Sequence, residues 1–141
     1  MCSASFVRTF LDTNVLVSAF ASRGLCAEVL ELVLQDHDLI LGRNVLRELD
    51  KALREKVKLS TARSAEIIDF VRNEATQVVE RAPPAMAKVD AADALVLGEA
   101  LAGKAGAFVT GDAALLRLTT VGALAIVSLR LFWEILRAGN E

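Results

Sequence analysis

An α/β domain is the fold class that the 141 residues predict, with a mainly parallel sheet of four or five strands and helices on both faces. Three observations predict it. Short apolar or β-branched runs alternate along the chain with segments of helical spacing, as in sheets whose parallel strands are joined by crossover helices. Two of these runs lead directly into an acid, at Leu11-Asp12 and at Val109-Thr110-Gly111-Asp112. No repeat, low-complexity tract or linker interrupts the chain, so a single domain over residues 1–141 is expected.

The first strand is read at residues 6–11, too short for a helix and apolar enough to be buried. Asp12-Thr13-Asn14 breaks it and can cap a helix in which Val15, Leu16, Ala19 and Phe20 share one face. A carboxylate thus stands where a strand hands over to a helix, and open α/β sheets bind ligands outside the carboxyl ends of their strands. A lone Asp at such a junction is at least as often a simple cap. The second junction, at Asp112, and the intervening helical acids Glu48 and Asp93 favour a site.

Residues 21–25 read as a loop, 26–34 as a helix and 35–38 as a turn around His37. A second strand is expected at residues 39–41. Asn44 is then expected to cap a helix running to about Lys58. On that helix Leu46, Leu49, Leu53 and Val57 share an arc, and Arg43, Arg47, Lys51, Arg54 and Lys58 form a basic stripe beside it. Glu48 falls at the border of the buried arc. Such a stripe is more often a solvated face than a ligand site, but this one could hold substrate phosphates beside a cleft.

Ser60 can cap the next helix, which runs to about Ala75. Gln77–Val79 reads as a third strand, ended by residues 81–84, where two adjacent prolines disfavour helix. Residues 90–100 read as a helix with Asp90 and Asp93 in its first turn, where the helix dipole alone would favour acids. Residues 107–109 form the next strand, 113–118 a short helix and 124–127 the last strand. Ser128 then caps a terminal helix with Leu131, Phe132, Ile135 and Leu136 at its apolar positions.

Composition narrows the chemistry. More than half the residues are hydrophobic and only two are proline, which describes an ordered globular chain. No apolar run approaches the ~18 residues needed to cross a bilayer, and the first residues lack the basic start and apolar core of a signal peptide. A soluble, cytoplasmic chain with no membrane partner is expected. Cys2 and Cys26 lack metal-ligand spacing and read as reduced thiols, and His37 is the only histidine. Catalysis, if present, must therefore run on carboxylates. The net charge of −2 does not advertise nucleic-acid binding, although acids gathered around a metal are neutralised by it.

Leu11-Asp12-Thr13-Asn14 with the apolar residues through Ala19, the Leu46-Arg47-Glu48-Leu49 turn, Asp90 and Asp93 ahead of Ala94-Leu95-Val96-Leu97, and the stretch from Ala107 to Leu116 around Thr110-Gly111-Asp112 together resemble a bacterial PIN domain. The likeness is closest to toxin components of toxin-antitoxin systems, related to VapC-type toxins, and covers essentially the whole chain. It implies an acidic quartet, falling on Asp12, Glu48, Asp93 and Asp112, that binds Mg²⁺ or Mn²⁺ and hydrolyses RNA. Asn14 and Thr110 match polar positions at the border of that site. A small antitoxin whose tail enters the acidic cleft is also implied.

The sequence departs from the family pattern at Ala91-Ala92, where a proline and an acid are common, and at Ala114, where an acid often follows. The alternative is therefore a PIN-fold RNA-binding or protein-interaction module with weak or no catalysis. A haloacid-dehalogenase-like phosphatase would need an acid at Asn14. A receiver domain would need a phosphoacceptor Asp after its third strand and a Lys after its fifth, and neither is present. The helices expected at residues 26–34 and 60–75 carry more apolar surface than one small domain readily buries, so a homodimer is expected.

Overall fold

In a computed structural model of the chain, residues 7–139 are described. Cys2 and Phe6, and with Phe6 the expected start of the first strand, lie outside them. Strand β1 (Arg8–Leu11) leads through Asp12 into helix α1 (Thr13–Ala21), followed by α2 (Leu25–Asp36), β2 (Asp38–Gly42), α3 (Arg43–Glu55), α4 (Thr61–Glu74) and β3 (Gln77–Val79). The second half contains α5 (Ala91–Ala102), β4 (Ala107–Thr110), α6 (Ala113–Leu116), β5 (Thr120–Val121), β6 (Leu124–Ser128) and α7 (Leu129–Gly139).

The strands form one sheet in the order β3-β2-β1-β4-β6-β5. Every pairing is parallel except that of β5 with β6. β5 is the strand beyond the four or five expected. Its two residues form an edge after a turn and carry no run long enough to signal a strand. Phe10, Leu11, Leu39, Ile40, Leu41, Phe108 and Val109 are buried as consecutive residues, as they must be when helices cover both faces. Phe10 and Phe108 stack with ring centroids 5.4 Å apart across the centre of the sheet.

The chain lays β2 and β3 on one side of β1, then returns to lay β4 on the other. The order of strands therefore reverses between β1 and β4, where a crevice opens at the carboxyl ends. Register makes those ends level: Leu11 pairs with Val109, and the Asp12 N–H donates to the Val109 carbonyl at 2.9 Å. Asp12 and Asp112 both emerge at this point.

Several boundaries differ from those expected. Helix α2 continues through Asp36 and His37 closes it, because Asp38 is already paired with Arg8 in the sheet. Asn44 does not cap α3. The helix starts at Arg43 directly after β2, and the Asn44 N–H is taken by Glu99 Oε2 at 2.7 Å. Helix α3 stops at Glu55, so Lys58 lies beyond it in a left-handed conformation with φ of 67°. Ser60 and Ser128 do cap α4 and α7, through the N–H groups of Arg63 and Leu131.

The apolar surplus expected on α2 is covered, with Val29, Leu30 and Val33 buried and α7 packed against the helix. The large apolar side chains that remain exposed include Phe70 on α4 and Leu131 and Ile135 on α7. No helix among the described residues is long and apolar enough to cross a membrane.

Candidate active site

Asp12 is the residue around which the crevice is built. It caps α1, with Oδ1 accepting from the Thr13 N–H at 2.8 Å, and its residue exposure is only 9%. Its Oδ2 accepts from the Thr110 hydroxyl at 2.7 Å and more weakly from the Asn14 amide at 3.4 Å. Burial raises the Asp12 carboxyl above its ordinary range against the pull of the bonds from Thr110 and Thr13, and the charge of Asp112 adds to the rise.

Thr110 links two acids. While its hydroxyl donates to Asp12, its oxygen accepts from the Asp112 N–H at 3.0 Å. Asn14 ties the same loop down, accepting the Gly111 N–H at 3.2 Å. Asp112 caps the single turn of α6, its Oδ1 accepting from the N–H groups of Ala114 at 2.8 Å and Leu115 at 3.4 Å.

Glu48 projects from α3 and is fixed from α1: the Thr13 hydroxyl donates to Glu48 Oε1 at 2.7 Å. Asp93 occupies the first turn of α5, but the capping is done by Asp90, whose Oδ1 accepts the Asp93 N–H at 2.8 Å. The Asp93 side chain is therefore spared that task. Its carboxyl is pushed up to about 6, first by burial and then by the charges of Asp90, Asp112, Asp12 and Glu48. All four acids of the expected quartet line one cleft of about 620 Å³, together with Thr13, Lys51, Glu55 and Lys56.

The donor set consists of carboxylate and hydroxyl oxygens. Among the described residues, no three Asp, Glu, His or Cys side chains stand close enough together to hold a metal ion between them. Oxygen donors of this kind suit Mg²⁺ or Mn²⁺ better than zinc, since a hard, water-retaining dication takes one or two carboxylates and keeps its remaining positions for water and phosphate. Burial lifts Asp93 most, and the repulsion by neighbouring acids that adds to it is a deficit a dication would relieve.

The basic stripe is divided. Lys51 lines the acidic cleft, whereas Arg43 and Arg47 line a separate groove between α3 and α4 that also includes Arg72. Arg54 is bound to Asp50 at 3.1 Å, and Lys58 lies past the end of the helix. A stripe drawn on an ideal wheel ignores where the helix stops and which neighbours claim its charges.

Two residues of the cleft, and one that supports α3 behind Glu48, were not legible in the sequence. Thr13 was read only as part of a helix start, and its bond to Glu48 spans 35 positions. Lys56 enters the cleft from the C-cap of α3. Glu99 is 1% exposed and accepts the Asn44 N–H and amide at 2.7 and 2.8 Å and the Val45 N–H at 3.4 Å. Burial raises its carboxyl despite those bonds. The available signal for Glu99 was a lone charge in the apolar run Val96-Leu97-Gly98-Glu99-Ala100.

A PIN domain model matches residues 8–114. A search of curated proteins returns no match. Among solved structures, the chain is similar to one from the crystal structure of VapBC2 from Rickettsia felis bound to a DNA fragment from their promoter. That likeness has a TM-score of 0.62 at 16% identity and covers 85% of this chain and 97% of the other, which shows a common fold.

Proposed function

The chain belongs to the PIN domain family, and from that premise we propose that it is a metal-dependent ribonuclease, the toxin of a toxin-antitoxin pair. The observation that carries the reading is the meeting of Asp12, Glu48, Asp93 and Asp112 on one cleft whose rim also holds Lys51 and Lys56. The four acids would hold Mg²⁺ or Mn²⁺, with Asn14 and Thr110 setting the Asp12–Asp112 side through their hydrogen bonds. When bound, the ion supplies Lewis-acid stabilisation of charge on the phosphoryl oxygens.

The chain's own residues do the rest. Thr13 holds Glu48 toward the cleft, and the Thr110 hydroxyl donates to Asp12 while its oxygen accepts from the Asp112 N–H. Lys51 and Lys56 draw the RNA backbone to a rim that is otherwise acidic. Arg43 and Arg47, in their own groove, would bind a more distant part of the strand. The antitoxin partner is supported by the fold likeness to a chain of the VapBC2 structure, and the homodimer by the exposed Phe70, Leu131 and Ile135.

The test is RNA cleavage by the purified chain with Mn²⁺, with chelator, and in the Asp12→Asn variant. The nuclease reading expects cleavage in the first case alone. RNA binding that persists while all three fail to cleave would make the chain an RNA-binding module, the alternative that Ala114 favours by standing where relatives often carry another acid.

A further inference from the structure

The acidic cleft has a neighbour. A second cavity, of about 390 Å³, lies toward α2 and α7, and its lining shares Asn14, Ser18 and Asp112 with the cleft. The remaining wall is made by Val15, Cys26, Gly111 and Leu129. The two cavities thus adjoin across the residues that follow Asp12 and across Asp112.

Their chemistry differs in a way that matters for a polynucleotide. The cleft has Lys51 and Lys56 on its α3 side, suited to phosphates. The second cavity has no Lys, Arg or His in its wall, and its only charged residue, Asp112, directs Oδ1 to the first N–H groups of α6. What remains is neutral: the apolar edges of Val15 and Leu129, the Ser18 hydroxyl and the Cys26 thiol. A hydroxyl can donate and accept, so this wall can meet either kind of group on a heterocycle's edge.

We propose that this cavity is a nucleobase subsite, which receives one unstacked base of the RNA strand whose adjoining phosphate lies in the acidic cleft. The inference rests on the nuclease reading for its substrate, but the cavity and its walls are independent of catalysis. A phosphate in the cleft leaves the attached base one sugar away, and the adjoining space offers apolar contact and hydrogen bonding, its one charge being Asp112, whose Oδ1 is taken by α6. Its volume falls within the ~300–1,000 Å³ of small-ligand sites. Single-stranded RNA is read in this way, base edge by base edge, while phosphate contacts only position the strand.

Cys26 reports occupancy directly. In a Cys2→Ser background it is the only thiol, and its rate of alkylation by N-ethylmaleimide can be followed by mass spectrometry with AMP, CMP, GMP, UMP or inorganic phosphate added in the presence of Mg²⁺. At least one nucleotide is expected to slow alkylation by about tenfold near saturation, with inorganic phosphate leaving the rate unchanged. Equal rates with and without nucleotides would overturn the proposal, as would equal protection by phosphate alone.

A Cys26→Leu variant, checked by its melting curve, is expected to change the ratio of kcat/KM between RNAs differing in one base by about tenfold while Mn²⁺ affinity stays constant. Should that variant fail to fold, the alkylation result decides. Protection by nucleotides in a chain that cleaves no RNA would sink the nuclease reading and leave the base subsite standing.

Discussion

At Asp12 one carboxylate serves both a helix and a cleft: Oδ1 caps α1 while Oδ2 lies under the Thr110 hydroxyl. The capping and site readings of that residue are therefore compatible. Thr110 is the more informative position to change, because Val keeps its shape and removes both bonds that relate Asp12 to Asp112. Thr110→Val is expected to weaken Mn²⁺ binding by ~10- to 100-fold, as loss of a ligand's supporting bond does elsewhere, and calorimetric titration checks it. Asp93 sets a pH dependence. Its carboxyl titrates at about 6 in the folded chain and at 3.8 when unperturbed, so between these values the folded state binds more protons. The stability contribution of this group therefore falls as pH rises through that window, and the penalty is complete above about 6. Chelator-treated protein should gain from this site on acidification, and the Asp93→Asn variant should lose that gain in parallel melting curves. The paired comparison is needed because His37, held low by burial, acts in the opposite sense. Asp12 and Asp112 were legible because each follows a buried strand, whereas the bond from Thr13 to Glu48 depends on how two helices pack.

At the scale of elements, α3 is aimed by a residue of α5. Glu99 accepts the first free N–H groups of α3, and the same helix carries Glu48 into the cleft one turn further on. A Cβ at Gly42 would collide with the Glu99 carboxylate, so the close approach of β2 to α5 requires glycine there. Glu99→Ala leaves a part-buried donor at Asn44 and a buried one at Val45 without their acceptor and is expected to cost about 2 to 4 kcal/mol in denaturant unfolding. Glu99→Gln, which keeps an accepting oxygen, should cost less. If both variants unfold like the wild type, the cap is not what holds α3. The expected Asn44 cap failed for a related reason: a sequence pattern sees capping from within a helix but not from another element 55 positions away. Long apolar helices and strands were readable from their periodicity. The two-residue β5 and the stop of α3 at Glu55 depend on local turns and left no such period.

For the whole molecule, alternation of strands and helices made the parallel sheet legible, but not the order in which its strands lie. The crevice exists because β4 returns to the far side of β1, and that order brings Asp112 beside Asp12. Glu48 and Asp93 then arrive from helices on either side of β3 in the sequence. Apolar residues left outside the core, among them Phe70 on α4 and Leu131 and Ile135 on α7, predict a dimer in light scattering at micromolar concentration; a mass that stays monomeric removes that prediction and leaves the site untouched. The nuclease reading depends on Asp12 and the carboxylates around it holding a divalent cation in the cleft. Electron paramagnetic resonance of Mn²⁺, titrated into chelator-stripped wild type and Asp12→Asn at neutral pH, tests this most directly. The account predicts saturable loss of the free Mn²⁺ signal with the wild type and its near absence with the variant. Equal titration curves for the two proteins would contradict it.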